Sequence, residues 1–214
     1  MNENVWMIYD KLFEENPILS ICCEDIKKAF FIIKQCYENN GKILICGNGG
    51  SASDGEHIVG ELMKGFLLKR KVRQLIIDKF EKAFPLDGSA LTENLQGALP
   101  AISLNSHIAL TSAFINDIKA NMVYAQQVYG YGKCGDVLLA LSTSGNSVNV
   151  VNAVKTAKAC ELKIIGMTGS TGGALKDLCD VVIKTPSDKT YRIQEYHLPI
   201  YHALCAMIEM EVFG

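Results

Sequence analysis

The sequence lacks four features, each of which would point to a particular class of protein. Lysine plus arginine (21) do not exceed aspartate plus glutamate (23), so no basic excess is available to hold a phosphate backbone. No apolar run approaches the roughly 20 residues that cross a bilayer. The eight cysteines form no C-x-x-C pair, and no secretory signal precedes them. We therefore expect a reduced, cytoplasmic protein that binds neither membrane nor nucleic acid.

What the chain does contain, from about residue 42, is an alternation of short apolar runs with helical patterns. The apolar runs are KILICG at 42–47, PAISL at 100–104, DVLLALS at 136–142, LKIIGMTG at 162–169 and DVVIKTP at 180–186. Near-continuous Ile, Leu and Val are typical of strands covered by helices on both faces. The sequence therefore predicts an α/β fold with a doubly wound, five-stranded parallel sheet in one domain over 1–214.

Helices are expected at both ends of the chain, with an insertion between them. Residues 1–40 are predicted to form an N-terminal helical segment, broken near Asn16-Pro17, that packs on the sheet or on another subunit. The stretch 191–212 is helical in pattern, and Pro199 predicts a kink or a helix start within it. Residues 67–99 combine basic KRKVR, amphipathic LIIDKFEKAF and a polar loop. We expect a surface insertion there, or alternatively a lid or subunit contact.

Two predicted strands are followed by small, hydroxyl-rich loops that lead into helices. These loops are GNGGSAS at 47–53 and STSGNS at 142–147. Glycine lets backbone N–H groups approach an anion, hydroxyls add donors, and the following helix directs its positive end at the ligand. Such loops meet at the carboxyl edge of a parallel sheet, which predicts a shared phosphate site. A Walker loop is excluded because no Gly-Lys-Ser/Thr follows, and no acid completes the looser dinucleotide pattern.

Two helical patterns carry further polar candidates. His57 and Glu61 lie four residues apart in the helix after the first loop and therefore share one face. Gln194 and His202 lie eight residues apart, roughly two turns, and can also share a face. The two residues of each pair can therefore contact one ligand together.

Two other polar residues near these motifs are interpreted as structural. His197 is expected to be a core or interface residue with a satisfied ring nitrogen. Asp54 is expected to be a charge partner of its helix N-terminus, with a proton relay as the alternative.

Four separated blocks together resemble a known family. GNGGSASDGEHIVGEL, ND at 116–117, STSGNS and RIQEYHLPIYH are similar, in order and spacing, to the sedoheptulose-7-phosphate (phosphoheptose) isomerases of the sugar-isomerase (SIS) fold. The resemblance runs from about Gly41 to the C-terminus and is weakest across 65–100. It implies a SIS-type sheet and an enzyme that converts sedoheptulose 7-phosphate to D-glycero-D-manno-heptose 7-phosphate.

The resemblance also implies roles for individual residues. The substrate would be held by Asn48, Gly49, Gly50, Glu61, Asn116, Asp117, Ser142, Thr143, Ser144, Ser147 and Gln194, with the four hydroxyl residues on its phosphate. One zinc ion per subunit would be held by His57, Glu61, Gln194 and His202. The resemblance further implies a homotetramer in which residues of one subunit complete the site of another.

The chemistry needs a base that faces carbon and an acid that serves the sugar oxygens. Interconversion of a 2-ketose and an aldose moves a proton between C1 and C2 through an enediol. We interpret Glu61 as the base and His202 as the acid. A metal or positioned donors would stabilise the enediolate charge.

Two other functions remain open at the level of sequence. The first is a non-catalytic SIS protein that binds a sugar phosphate or a protein partner, such as a replication-initiation regulator. The presence of His57, Glu61, Gln194 and His202 together argues against it. The second is an isomerase for another sugar, such as arabinose 5-phosphate or a hexulose phosphate, because the segment 67–99 can reshape the pocket.

Overall fold

The computed structural model describes residues 2–214 and contains a five-stranded, all-parallel sheet. The strands are β1 (Ile43–Cys46), β2 (Ala101–Ser103), β3 (Val137–Leu141), β4 (Lys163–Thr168) and β5 (Val181–Lys184). Their order in the sheet is β2-β1-β3-β4-β5. The chain therefore moves outward from β1 in one direction and from β3 in the other, so the order reverses between these two strands. This topology confirms the predicted doubly wound sheet.

Helices cover both faces of the sheet. They are α1 (Glu3–Glu15), α2 (Cys23–Glu38), α3 (Gly50–Met63), α4 (Gln74–Ala83), α5 (Gly88–Glu93), α6 (Ile108–Asp117), α7 (Val123–Tyr131), α8 (Val148–Ala159) and α9 (Thr190–Phe213). Short 3₁₀ turns span Pro17–Cys22, Ala120–Met122 and Gly173–Asp177. The break predicted near Asn16-Pro17 is confirmed, because the first of these turns separates α1 from α2.

The strands are buried on both faces because successive side chains point in opposite directions. Ile43 and Ile45 of β1 pack with residues of α1, α2, α3 and α9, whereas Leu44 and Cys46 pack with residues of α7 and α8. This two-sided burial explains why the strands are almost continuously apolar. The helices α1 and α2 pack within the subunit, since α1 contacts α9 and α2 contacts both α9 and β5. Among residues 2–214, no helix has the length and apolarity needed to cross a membrane.

The helix α9 decides one of the two alternatives expected at Pro199. It begins at Thr190 and runs through Pro199 to Phe213, so Pro199 does not mark a helix start. A proline inside a helix costs about 3 kcal/mol through a lost hydrogen bond and a steric clash. Burial of Ile200, Leu204 and Met207 against the core offsets that cost, since each such side chain contributes about 1.5–3 kcal/mol.

The two ends of the segment 67–99, which is predicted to be an insertion, lie in the body of the fold. Arg70 and Leu99 are buried, and the Arg70 carbonyl accepts a hydrogen bond from the Gly97 amide at 2.9 Å. The part that leaves the body of the subunit is therefore 71–96. It contains α4, which has no buried residue, as expected for a surface segment. The predicted polar loop contains the short helix α5, which packs against α4.

The side chain of His197 lies in the core, as predicted. It is fully buried, and Nε2 lies 3.3 Å from the Thr168 carbonyl, whereas Nδ1 has no partner. Burial lowers the pKa of this imidazole from 6.5 to about 4. The folded state therefore disfavours the protonated ring, whereas the unfolded chain accepts a proton near pH 6.5.

This shift predicts an acid-sensitive contribution to stability. The contribution is fully present above about pH 6.5 and is lost as the pH falls toward 4, because only the unfolded chain then binds the proton. We expect about 2 kcal/mol of the unfolding free energy to disappear between pH 7 and pH 5 through this group. Urea unfolding at both pH values, for wild type and His197→Gln, measures the effect. An equal loss in both proteins would contradict it.

Candidate active site at the strand switch point

A cavity of about 330 Å³ opens at the carboxyl ends of β1 and β3, where the strand order reverses. Its lining contains backbone, amide and hydroxyl groups from three segments: Asn48, Gly49, Gly50, Ser51, Leu141, Ser142, Thr143, Ser147, Thr190 and Gln194. Seven of these are residues that the family resemblance assigns to the substrate. The others, Ser51, Leu141 and Thr190, were not singled out from the sequence. The two loops predicted to hold phosphate thus line one cavity.

The loop after β1 depends on glycine. Gly49 has φ +57° and ψ −124°, a backbone conformation that residues with a Cβ rarely adopt. It turns the chain from β1 into α3, which begins at Gly50. A Cβ on Gly50 would lie 2.7 Å from Nε2 of Gln194. The absence of a side chain at Gly50 therefore lets the Gln194 amide reach the cavity.

The loop after β3 is ordered by its own hydroxyls and amides. Ser142 Oγ donates to Ser147 Oγ at 3.1 Å, and the Gly145 amide donates to the Ser142 carbonyl at 2.9 Å. Ser147 immediately precedes α8, so the first amides of that helix face this loop. Ser144 differs from its neighbours, because its Oγ accepts from the Asn146 amide at 3.1 Å and it does not line the cavity.

A network of amides and one phenol connects the two loops. Asn48 and Asn149 exchange two side-chain hydrogen bonds of 2.9 and 2.8 Å. The Tyr124 hydroxyl donates to the Gly47 carbonyl at 2.7 Å and accepts from Asn105 Nδ2 at 2.6 Å. These residues hold the loop after β1 against β2, α7 and α8. Asn105, Tyr124 and Asn149 were not predicted from the sequence, because they lie on three separate parts of the chain that only the folded sheet brings together.

A second polar cluster lies where α3 packs against α9. His57 Nε2 is 3.2 Å from Glu61 Oε1 and 3.5 Å from His202 Nε2. His57 Nδ1 is 3.1 Å from the hydroxyl of Tyr201. The Glu61 side chain is 12% exposed, and its other oxygen lies 3.5 Å from Lys64 Nζ. The structure therefore brings together three of the four residues that the resemblance assigns to zinc.

Burial shifts the pKa of two members of this cluster, His202 and Tyr201. It lowers the pKa of His202, and the neighbouring His57 lowers it further, whereas Glu61 opposes the shift. Burial also raises the pKa of the Tyr201 phenol far above its usual value, and Asp54 adds to this effect. Tyr201, which sequence reasoning passed over as one more apolar position of the helix, thus contacts both His57 and Asp54.

The structure corrects the role expected for Asp54. This residue is the fifth of α3, and the first turn of the helix contains no acidic residue, so Asp54 is not the charge partner of the helix N-terminus. Its Oδ1 instead accepts from the Tyr201 hydroxyl at 3.4 Å, while Oδ2 is buried without a partner. Burial raises the pKa of this carboxyl.

Asn116 and Asp117 lie apart from both clusters. They form the C-terminal end of α6, where Asn116 Nδ2 donates to Asp117 Oδ1 at 2.9 Å. Both are exposed, and neither lines the cavity at the switch point. The fold of the single chain therefore does not bring this pair to the other residues assigned to the substrate.

The implied zinc ligands fit the metal in type and partly in spacing. Imidazole nitrogens and a carboxylate at roughly 2.0–2.1 Å from tetrahedral zinc lie about 3.3–3.4 Å from one another. The separations of 3.2 and 3.5 Å around His57 are close to this value. Within residues 2–214, however, no group of three or more His, Cys, Asp or Glu side chains forms a complete site. Gln194, the fourth implied ligand, lies against Gly50 at the cavity and not with the other three.

One buried ion pair near this cluster was not anticipated. The Arg70 and Glu209 side chains are 0% and 1% exposed, and Arg70 Nε donates to Glu209 Oε1 at 2.7 Å. In the sequence, Arg70 stands within a basic run that resembles a solvated surface, and Glu209 lies among other acids near the C-terminus. No local pattern distinguishes them from surface charges.

Comparison with known proteins gives the class and then the family. The SIS domain family matches residues 81–169, so the class is that of SIS-domain proteins, with which the doubly wound sheet agrees. The phosphoheptose isomerase of Helicobacter pylori is 40% identical over 186 residues, which are 87% of this chain and 83% of that protein. The chain belongs to the phosphoheptose isomerase family.

Solved structures agree with this assignment. Phosphoheptose isomerase from Neisseria gonorrhoeae superposes with a TM-score of 0.73 at 31% identity, covering 97% of both chains. A phosphoheptose isomerase from Francisella tularensis gives a TM-score of 0.70 at 30% identity, covering 97% of this chain and 93% of that one. The likeness therefore extends over nearly the whole chain, including the N-terminal helices.

Proposed function

We propose that this protein is an aldose–ketose isomerase that converts sedoheptulose 7-phosphate to D-glycero-D-manno-heptose 7-phosphate through an enediol. One observation carries the proposal. The helices α3 and α9 run side by side, with Gly50 against Gln194 at the cavity and His57 against His202 further along. His57 follows Gly50 by seven positions, which separates the two contacts by about 10 Å along α3. A sugar phosphate, whose phosphate and carbonyl lie at opposite ends, matches this arrangement.

In this proposal the cavity holds the phosphate end of the sugar. The amides at the start of α3 and α8 and the loop hydroxyls neutralise its charge through hydrogen bonds. The groups assigned to the substrate are Asn48, Gly49, Gly50, Asn116, Asp117, Ser142, Thr143, Ser144, Ser147 and Gln194. Support comes from the seven of these that line the cavity, together with the network that fixes Asn48.

The cluster between α3 and α9 performs the proton transfer. Glu61 removes a proton from C1 of the ketose, exchanges it with solvent, and delivers a proton to C2, which forms and then consumes the enediol. The His202 imidazole carries the proton between the two sugar oxygens. The low exposure of the Glu61 side chain and its contact with His57 support this assignment, because an oriented carboxylate is a more effective base.

We also propose that one zinc ion per subunit binds His57, Glu61, Gln194 and His202. When bound, zinc would polarise the substrate carbonyl as a Lewis acid. The spacing of His57, Glu61 and His202 supports the site. Titration of the metal-free protein with zinc in a calorimeter tests it, and absence of any binding would contradict it.

Turnover of a panel of sugar phosphates tests the central proposal. We expect NMR to detect a heptose aldose from sedoheptulose 7-phosphate and no product from arabinose 5-phosphate or fructose 6-phosphate. Glu61→Gln and His202→Ala should each lower kcat by at least about 10²-fold, because each loses a proton-transfer group. Both variants should remain folded. Wild-type kcat in either variant would exclude that residue, and an inactive wild type would refute the isomerase assignment.

A matched pair of glycine substitutions in α3 tests the cavity. In Gly50→Ala the new methyl displaces the flexible end of Gln194, so we expect a higher KM for the sugar phosphate with little loss of stability. In Gly60→Ala nothing lies within 4 Å of the new Cβ, so KM should stay unchanged. Steady-state kinetics and thermal unfolding measure both. If Gly50→Ala and Gly60→Ala had the same KM, Gln194 would not be part of the substrate site.

We propose that the enzyme is a homotetramer with shared active sites. The helix α6 supports this, because it has no buried residue and exposes Ile108 (81%) and Ile115 (47%), and Ile118 (68%) directly after it is exposed as well. Asn116 and Asp117 lie on the same helix and would reach a neighbouring subunit's cavity if α6 were an interface. Sedimentation equilibrium should give four times the chain mass, and a monomer would contradict the arrangement.

We place the enzyme in the cytoplasm, a setting supported by its cysteines. All eight are free thiols, and four of them are buried. A reducing compartment keeps such thiols unpaired. Cell fractionation tests this assignment, and recovery of the protein outside the cytoplasm would contradict it.

A further inference from the structure

The C-terminal end of α3, which carries Glu61, is held by a buried guanidinium. The last carbonyls of a helix have no partner within it. Arg70 supplies donors to two of them: Nη2 donates to the Glu61 carbonyl at 2.8 Å and Nη1 to the Leu62 carbonyl at 2.5 Å. Its Nε donates to Glu209 on α9. One side chain thus connects the end of α3 to α9.

Both carboxylate oxygens of Glu209 also accept hydrogen bonds from the backbone. Its Oε1 accepts from the Phe66 amide at 2.8 Å, and Oε2 accepts from the Leu67 and Leu68 amides at 2.7 and 3.1 Å. The carboxylate therefore fixes the chain that leaves α3 as well as the guanidinium. We call this arrangement of Arg70 and Glu209 the α3 clamp.

Stability alone is a poor explanation for the α3 clamp. Removing two charges from water costs as much as or more than their attraction returns, and apolar residues of similar volume often replace such a pair without loss. An apolar pair at positions 70 and 209 would not, however, donate hydrogen bonds to the Glu61 and Leu62 carbonyls and so hold them in place. The planar fork of arginine sets the direction of its hydrogen bonds, which lysine cannot reproduce.

We propose that Arg70 is a positioning residue that sets the place of the Glu61 carboxylate for proton transfer. This inference rests on the proposed role of Glu61 as the base. Arg70 touches the backbone of Glu61 and not its carboxylate, so it acts through the placement of the helix end. Misplacement of a reacting group by about 1 Å can reduce a rate by about 10²-fold.

Arg70 also stands at the root of the segment 71–96. Its carbonyl accepts from the Gly97 amide, and Gln96 Oε1 accepts from the Gly65 amide at 2.6 Å. The α3 clamp therefore holds both ends of this segment beside Glu61. The position of the base is therefore coupled to the two ends of the segment 71–96.

The test compares Arg70→Lys with the exposed neighbouring substitution Lys69→Met in the full chain. Lysine keeps the charge next to Glu209 but loses the fork to the two carbonyls. We expect kcat for sedoheptulose 7-phosphate to fall by about 10²-fold, with KM within twofold of wild type, because the phosphate cavity lies at the other end of α3. Lys69→Met should match wild type in both constants.

Hydrogen–deuterium exchange supplies a readout that is independent of activity. In Arg70→Lys, exchange should accelerate in residues 60–64 and stay unchanged in the rest of the sheet and helices. Two outcomes would assign the α3 clamp a structural role only. One is faster hydrogen exchange throughout the protein, and the other is a fall in kcat in proportion to the fraction of folded protein. Wild-type kcat in folded Arg70→Lys would overturn the inference outright. An inactive wild type would refute the proposed function, while the exchange pattern would still decide the placement of α3.

A double variant covers the case in which Arg70→Lys does not fold. Arg70→Met with Glu209→Leu removes both charges and leaves neither unpaired. We expect this protein to fold and to show the same loss of kcat. Failure of both proteins to fold, or normal turnover by the double variant, would overturn the positioning role.

Discussion

The packing of α3 against α9 is the constraint on which both halves of the site depend. Gly50 allows the Gln194 amide to enter the phosphate cavity, and His57 meets His202 and Tyr201 further along the same two helices. Because both contacts belong to one pair of rigid elements, the distance between anion binding and proton transfer is fixed. The geometry of the two helices thus determines which substrates can reach the phosphate cavity and the proton-transfer cluster at the same time.

The sheet explains why these two helices meet. In the order β2-β1-β3-β4-β5, α3 leaves β1 beside the point where the order reverses, and α9 follows the last strand and returns along the same face. The amides at the start of α3 and α8 therefore converge on one cavity. The other end of α3 is then fixed by Arg70 and Glu209, so the helix that bears the base is held at both ends.

Much of this could be predicted from the sequence. Runs of Ile, Leu and Val gave the five strands, and glycine and hydroxyl residues after two of them indicated the cavity. The helical spacing of His57 with Glu61 indicated the second cluster. Long-range polar contacts could not be predicted, because Tyr124, Asn149 and Arg70 find their partners only after distant elements pack. The continuation of α9 through Pro199 could not be predicted for a related reason, because burial of the whole helix outweighs the local effect of one proline.

The central claim is that a carboxylate between α3 and α9 moves a proton between C1 and C2 of a sugar phosphate. The most direct measurement is turnover of sedoheptulose 7-phosphate in deuterium oxide, with the product observed by NMR. A carboxylate base exchanges its proton with solvent, so the account predicts deuterium at C2 of the aldose. Turnover that leaves C2 fully protiated would contradict transfer through an enediol by Glu61.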